Sequence, residues 1–138
     1  MLCWLFYLEV IIKKLDVVAA VIKENDRYFV AKRPDSSHLG GKWEFPGGKI
    51  EDGETHQEAI KREMMEEFCV EIDPTNLIGD ILHQYPDKLI HLFFYNARIS
   101  NGEITPTEHP QICWADTDKL LDIGLAEGDF VFTKNFLA

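Results

Sequence analysis

The chain is 138 residues long, 46% hydrophobic, and carries 24 Asp and Glu against 14 Lys and Arg, a net charge of -10. That length suits one domain with a real core, and the acidic balance excludes a surface built for polymeric nucleic acid, which leans on clustered cations. Cys3, Cys69 and Cys113 are odd in number, widely spaced and without a C-x-x-C pair; they suggest neither a disulfide framework nor a zinc site, and a reducing cytoplasm is the simplest setting.

The opening "MLCWLFYLEVII" is strongly apolar. It is too short to span a bilayer and lacks the positive lead of a secretory signal. Residues 1–15 therefore read as an added strand or packing extension without chemistry, no membrane partner is expected, and the functional domain is read over 16–138. Asp16 to Ile22 reads as a buried strand, Asn25 to Arg27 as a turn, and "YFVAKR" as the returning partner. "PDSSHLGGK" is a loop, "WEF" a short strand, and Pro46-Gly47-Gly48 a break. Thr55 and Glu58 form a T-x-x-E capping box, so a helix is expected from Thr55 to Phe68 or Cys69. Beyond it, "NLIGDILHQY" and "LIHLFFYNARI" read as strands joined at Pro86-Asp87-Lys88, followed by the turn Asn101-Gly102. A short strand at Ile112 to Ala115, a brief helix at Thr117 to Leu121 and a terminal helix at Asp129 to Leu137 complete a mixed sheet covered by helices.

The helix poses a chemical problem. Ile60, Met64 and Phe68 follow at four-residue spacing and form one apolar face. At about 100° per residue, Glu67 projects only about 20° from Ile60, with Glu63 and Glu66 on one flank. Three acids at the edge of a buried face cost free energy unless something positive sits among them. Hard divalent cations prefer carboxylate, carbonyl and water oxygens, so these side chains are candidate metal ligands.

From Gly48 the order is Gly, five residues, Glu54, seven residues, Arg62-Glu63, Met64, Met65, Glu66-Glu67, Phe68, Cys69, Val70. This resembles the Nudix box, G-x5-E-x7-R-E-U-x-E-E-x-G-U with U apolar, at every position except Cys69, where the family has glycine. "VAKRP", "WEFPGGKIEDGE", "HQYPDK", "TEHPQICW" and "LAEGD" extend the resemblance to the MutT-like nucleoside triphosphate pyrophosphohydrolases, a group that includes 8-oxo-dGTP diphosphatases and a CTP-directed branch.

The resemblance implies an α+β Nudix fold, a mixed β-sheet sandwiched between α-helices. It implies a metal site of Glu63, Glu66, Glu67, Glu108 and the Gly47 carbonyl, holding Mg²⁺ with Mn²⁺ able to substitute. Arg62 and Glu54 would orient the ligating carboxylates, and Glu63 or Glu108 would help to activate water for attack on the β-phosphorus. Arg33, Phe45, Lys49, Tyr85 and Asp129 are the implied substrate contacts, with Phe45 and Tyr85 walling the base and Asp129 reading its edge, unless Asp129 is only a helix cap. The partner would be a small-molecule nucleotide, and the chain a monomer or homodimer. Hydrolysis of a nucleotide sugar or dinucleotide, and nucleotide-binding regulation without turnover, are the competing functions. Cys69, where a left-handed glycine is usual, must accept strain or end the helix differently.

Overall fold

The computed structural model of the chain describes residues 13–138, so the apolar opening lies outside the described residues, and of the expected extension over 1–15 only the last three are described. The first strand, β1, runs Lys13–Glu24, three residues earlier than its apolar run suggests. Val18 to Ile22 are buried on both faces. Val18, Ala20 and Ile22 join one core cluster, while Ala19 and Val21 join another. This is what a continuous apolar run, rather than an alternating one, requires of a strand covered on both sides.

β2 (Arg27–Lys32) returns from β1 through Asn25 and Asp26, both at positive φ as a tight turn demands. It pairs with β3 (Trp43–Glu44) and β7 (Gln111–Ala115). Pro46-Gly47-Gly48 is not a break. Gly47–Lys49 forms β4 and pairs antiparallel with β1, Val17 to Lys49 through Ala19 to Gly47. A Cβ on Gly47 would fall onto the Val18 carbonyl, so this close approach needs glycine. β5 (Glu71–Tyr85) begins five residues before the apolar segment that announces it, and register shifts interrupt its pairing with β6 (Lys88–Asn101). β6 also lies parallel to β1, from Lys13↔Lys88 to Ile22↔Ala97.

The expected helix is α1, His56–Phe68. Thr55 Oγ1 accepts from Glu58 N at 3.1 Å, and Glu58 Oε1 accepts from Thr55 N at 3.1 Å, the reciprocal bonds of a capping box. Ala59, Ile60, Met64 and Phe68 are buried against one face of the sheet. Each of the three larger side chains contributes about 1.5–3 kcal/mol by leaving water, and Phe68 also meets Phe29 edge to face at 5.2 Å. On the opposite face lie α2 (Thr117–Asp122) and α3 (Glu127–Phe132), the latter continued by a π turn at Thr133–Leu137. The terminal helix thus starts two residues before Asp129 and changes its winding after Phe132. The sandwich of helices around a mixed sheet is as the motif implies.

Cys69 ends α1 at φ 59° and ψ 32°, the left-handed conformation, with its side chain exposed. The thiol thus accepts the strain instead of ending the helix another way. Cys69→Gly is expected to be neutral or stabilising by up to about 1 kcal/mol, the steric relief being partly offset by the freer unfolded chain. Denaturant midpoints check this; a clear loss of stability would show that the thiol packs.

Candidate active site

The acids of α1 face the glycines of β4. A Cβ on Gly48 would collide with the Glu63 carboxyl, so the backbone of β4 and this side chain occupy adjoining space. Arg62 organises the cluster. Its Nε and Nη2 donate to the two oxygens of Glu54 at 2.6 and 3.0 Å, and Nη2 also donates to the Lys49 carbonyl at 3.0 Å. Nη1 donates to Glu63 Oε1 at 2.9 Å and Glu66 Oε2 at 3.3 Å. The planar fork suits such multiple bonding. It also holds the Glu54 carboxyl below its ordinary pKa, helped by the Glu51 N–H.

Glu67 has no such partner. Its Oε2 is buried and unpaired, and its pKa is pushed up to about 8, first by burial and then by the charges of Glu63, Glu44 and Glu108. Burial likewise raises Glu63, against the pull of Arg62. Among the described residues no three acidic, His or Cys groups already converge as a closed ligand set; Arg62 engages Glu63 and Glu66 in the present arrangement. An orphaned carboxylate oxygen beside further hard oxygen donors fits a divalent cation.

Glu108 reaches this region through the loop at 102–110. Thr105 N donates to Phe68 O at 2.8 Å and Thr107 N to Glu67 O at 2.9 Å. The Thr107 hydroxyl donates to Glu66 O and Glu67 O at 3.1 and 3.2 Å. These bonds satisfy carbonyls that any helix end leaves open, and they bring an exposed Glu108 near enough to act electrostatically on Glu67.

A cavity of about 700 Å³ adjoins the acids. Gly47, Lys49, Arg62, Glu63, Glu66 and Glu67 line one part of it, and Arg33, Phe45, Tyr85 and Asp129 another. Glu54 stands behind Arg62 and, like Glu108, does not line it. Asp129 is no helix cap. Ala126 holds the N-cap position of α3, and Asp129 Oδ2 instead accepts from Phe45 N at 2.8 Å across the molecule. Burial, followed by the Glu44 charge, pushes the Asp129 carboxyl up to about 8. The Phe45 ring packs edge to face on Phe94 and Phe132 and is largely a core group. Tyr85 is also largely buried, and meets the rings of His38 and His83.

Four residues around this space carry no role in the sequence reading. His38 and Lys88 line the cavity near Arg33, and burial followed by the Lys88 and Arg33 charges lowers the His38 pKa. Glu44 lines it as well, and His109 contacts Glu44. An acid between Trp43 and Phe45 in a two-residue strand is a sequence signal for Glu44; His109 has none beyond following Glu108.

A NUDIX domain model matches residues 17–133. The chain is 42% identical over 94 residues to an 8-oxo-dGTP diphosphatase of Proteus vulgaris, covering 67% of this chain and 84% of the relative. It is 30% identical over 126 residues to a CTP pyrophosphohydrolase of Escherichia coli (strain K12), covering 91% and 93%. The solution structure of the E. coli ORF135 protein superposes with a TM-score of 0.77 at 29% identity, covering 89% of this chain and 88% of that one. A MutT protein from Methanosarcina mazei Go1 shares the fold, with a TM-score of 0.83 at 23% identity over 91% and 94% of the two chains. With the matched model spanning nearly all of the sheet and its covering helices, the chain belongs to the NUDIX domain family.

Proposed function

We propose that the chain is a pyrophosphohydrolase that cleaves a nucleoside triphosphate, with a modified or amino-bearing base, to the monophosphate and pyrophosphate in the presence of Mg²⁺. The observation that carries this reading is the buried, unpaired Glu67 oxygen beside Glu63, at one part of a cavity whose other part presents Arg33 and Asp129. The volume suits a nucleotide, and relatives named as 8-oxo-dGTP diphosphatase and CTP pyrophosphohydrolase support the substrate class.

Glu63, Glu66, Glu67, Glu108 and the Gly47 carbonyl would hold the cation. When bound, it supplies neutralisation of phosphate charge, polarisation of phosphorus and a more acidic water. The chain's own residues do the positioning. Arg62 and Glu54 keep the α1 carboxylates aimed, Lys49 and Arg33 offer positive charge to the phosphates, and Asp129 offers hydrogen bonds to the base edge. Glu63 or Glu108 accepts the proton of the attacking water, which adds to the β-phosphorus as the bond to the α-phosphate oxygen breaks. Removal of an oxidised nucleotide from the precursor pool is the physiological role this chemistry supports.

Activity is expected to require Mg²⁺ or Mn²⁺ and to vanish with chelator. A panel of oxidised and normal triphosphates, nucleotide sugars and dinucleotides with Mg²⁺, scored for pyrophosphate against phosphate release, tests the substrate class. Full hydrolysis in chelator would sink the mechanism, and a preference for ADP-ribose or a dinucleotide would sink the substrate assignment.

A further inference from the structure

Glu44 stands on β3 with both oxygens engaged. Oε1 accepts from Arg33 Nη1 at 2.9 Å, and Oε2 faces His109 Nε2 at 3.1 Å. His109 follows Glu108 in the 102–110 loop, its side chain 5% exposed and its ring stacked on Phe68 with centroids 5.0 Å apart. A carboxylate only accepts, so Nε2 is the nitrogen that donates. Nδ1 is left buried without a partner. An unpaired buried nitrogen costs free energy, and an apolar ring could stack on Phe68 without it. What the imidazole adds is its bond to Glu44.

That bond has a consequence for the cavity. Arg33 Nε donates to the His38 carbonyl at 2.7 Å, so Glu44 is the second of two points that fix the guanidinium plane. Nη2 has no protein partner among the described hydrogen bonds, on a side chain that lines the cavity. Charge-assisted bonds of this kind hold a flexible side chain in one geometry before a ligand arrives.

We propose that His109 is a positioning residue: through Glu44 it fixes Arg33 against the substrate, tying the loop that carries Glu108 to the nucleotide-holding part of the cavity. The proposal rests on the cavity being a nucleotide site and adds to it a residue that touches neither substrate nor metal. His109→Phe keeps a flat ring on Phe68 and removes the donor; His109→Gln restores an N–H near the place of Nε2.

The first measurement needs no substrate: the Nε–H resonance of Arg33 in the full chain. It is expected to shift or broaden in His109→Phe and to return toward the native position in His109→Gln, with thermal midpoints little changed. Kinetics on the triphosphate that the native chain cleaves best form the second arm. His109→Phe is expected to raise KM about tenfold with a much smaller change in kcat, as loss of a uniform binding contact does. His109→Gln should recover most of it, and Arg33→Ala combined with His109→Phe should be no weaker than Arg33→Ala alone. An Arg33 resonance unmoved in His109→Phe overturns the proposal whatever the substrate, as do fully additive losses in the double variant. If the native chain cleaves no triphosphate while the resonance shifts as expected, the nucleotide reading falls and the His109–Glu44–Arg33 linkage stands. Should His109→Phe fail to fold, Glu44→Gln reports the linkage from its middle: the Arg33 Nε–H and the His109 Nε2–H resonances are both expected to move, and either one unmoved overturns the proposal.

Discussion

Glu67→Gln is expected to lose at least about 10²-fold in turnover, while the metal-free fold becomes more stable. The loss follows from deleting a charged oxygen donor at the proposed cation site, where such electrostatic contributions reach several kcal/mol. The gain follows from the same burial. In the native chain the Glu67 carboxyl, ordinarily near 4.5, titrates at about 8 because it is buried beside Glu63, Glu44 and Glu108. A raised folded-state pKa contributes stability that is fully present below the unfolded value and lost as pH rises through the folded one. The native protein in chelator should therefore weaken between about pH 4.5 and about pH 8, and the amide should not follow it there. With Glu67 only partly shielded from water, the gap at high pH is about 1 kcal/mol, a few degrees in Tm. Thermal melts in chelator at pH 6 and pH 9, beside kcat in Mg²⁺, check both halves. Undiminished turnover would move the metal elsewhere, and a lower midpoint at pH 9 would make Glu67 a structural contact.

Asp129→Ala is expected to combine a stability loss of about 1–3 kcal/mol with a loss of base discrimination. The first part comes from the Phe45 N–H, which donates to Asp129 Oδ2 at 2.8 Å and would be left buried without an acceptor. The second comes from the state of the carboxyl. With its pKa pushed up to about 8 by burial and by Glu44, Asp129 holds a proton at neutral pH and can both donate and accept. Asp129→Asn keeps both capacities and should therefore preserve the fold and much of the preference near pH 7. Above about pH 8 the native chain loses its donor and the Asn variant does not. Comparing kcat/KM for oxidised and normal triphosphates across that range, with denaturant midpoints for each variant, separates the two effects. An unchanged preference in Asp129→Ala would leave the residue a structural acceptor for Phe45.

The difference between these residues explains what the sequence made legible. The α1 acids and the capping box at Thr55 are local: helical geometry fixes them within one or two turns, so spacing reveals them, whereas the left-handed end at Cys69 was one of two alternatives raised by the glycine that the resembled motif carries there. The fold class was legible because β1 has no polar face and α1 has a single apolar one. Gly47–Lys49 was missed as a strand because its β partner is contributed wholly by β1, and two glycines read as a break when that neighbour is not known. Asp129 was legible as a candidate but its bond to Phe45 was not, since 84 residues separate the partners. The Glu44–His109 contact spans 65 residues and leaves no periodicity in the chain. The early start of α3 at Glu127 escaped for a simpler reason: Ala126 caps it without a side-chain bond, so no capping residue announces it.

The parallel alignment of β1 with β6 bears on how the molecule is made. Lys13 meets Lys88 and Ile22 meets Ala97, so the central pair of the sheet closes a span of about three quarters of a hundred residues. Loop closure on that scale must precede any reward from the contacts it brings, which slows folding relative to a helical bundle of equal size. On a ribosome, β1, β2 and α1 emerge well before β6 can shield the other edge of β1, and Asp129 follows later still. The newborn chain therefore passes through a stage with a bare apolar strand and no assembled cavity. Ending synthesis before α3 would leave a protein that holds the α1 acids yet lacks Asp129, the residue proposed to meet the base edge.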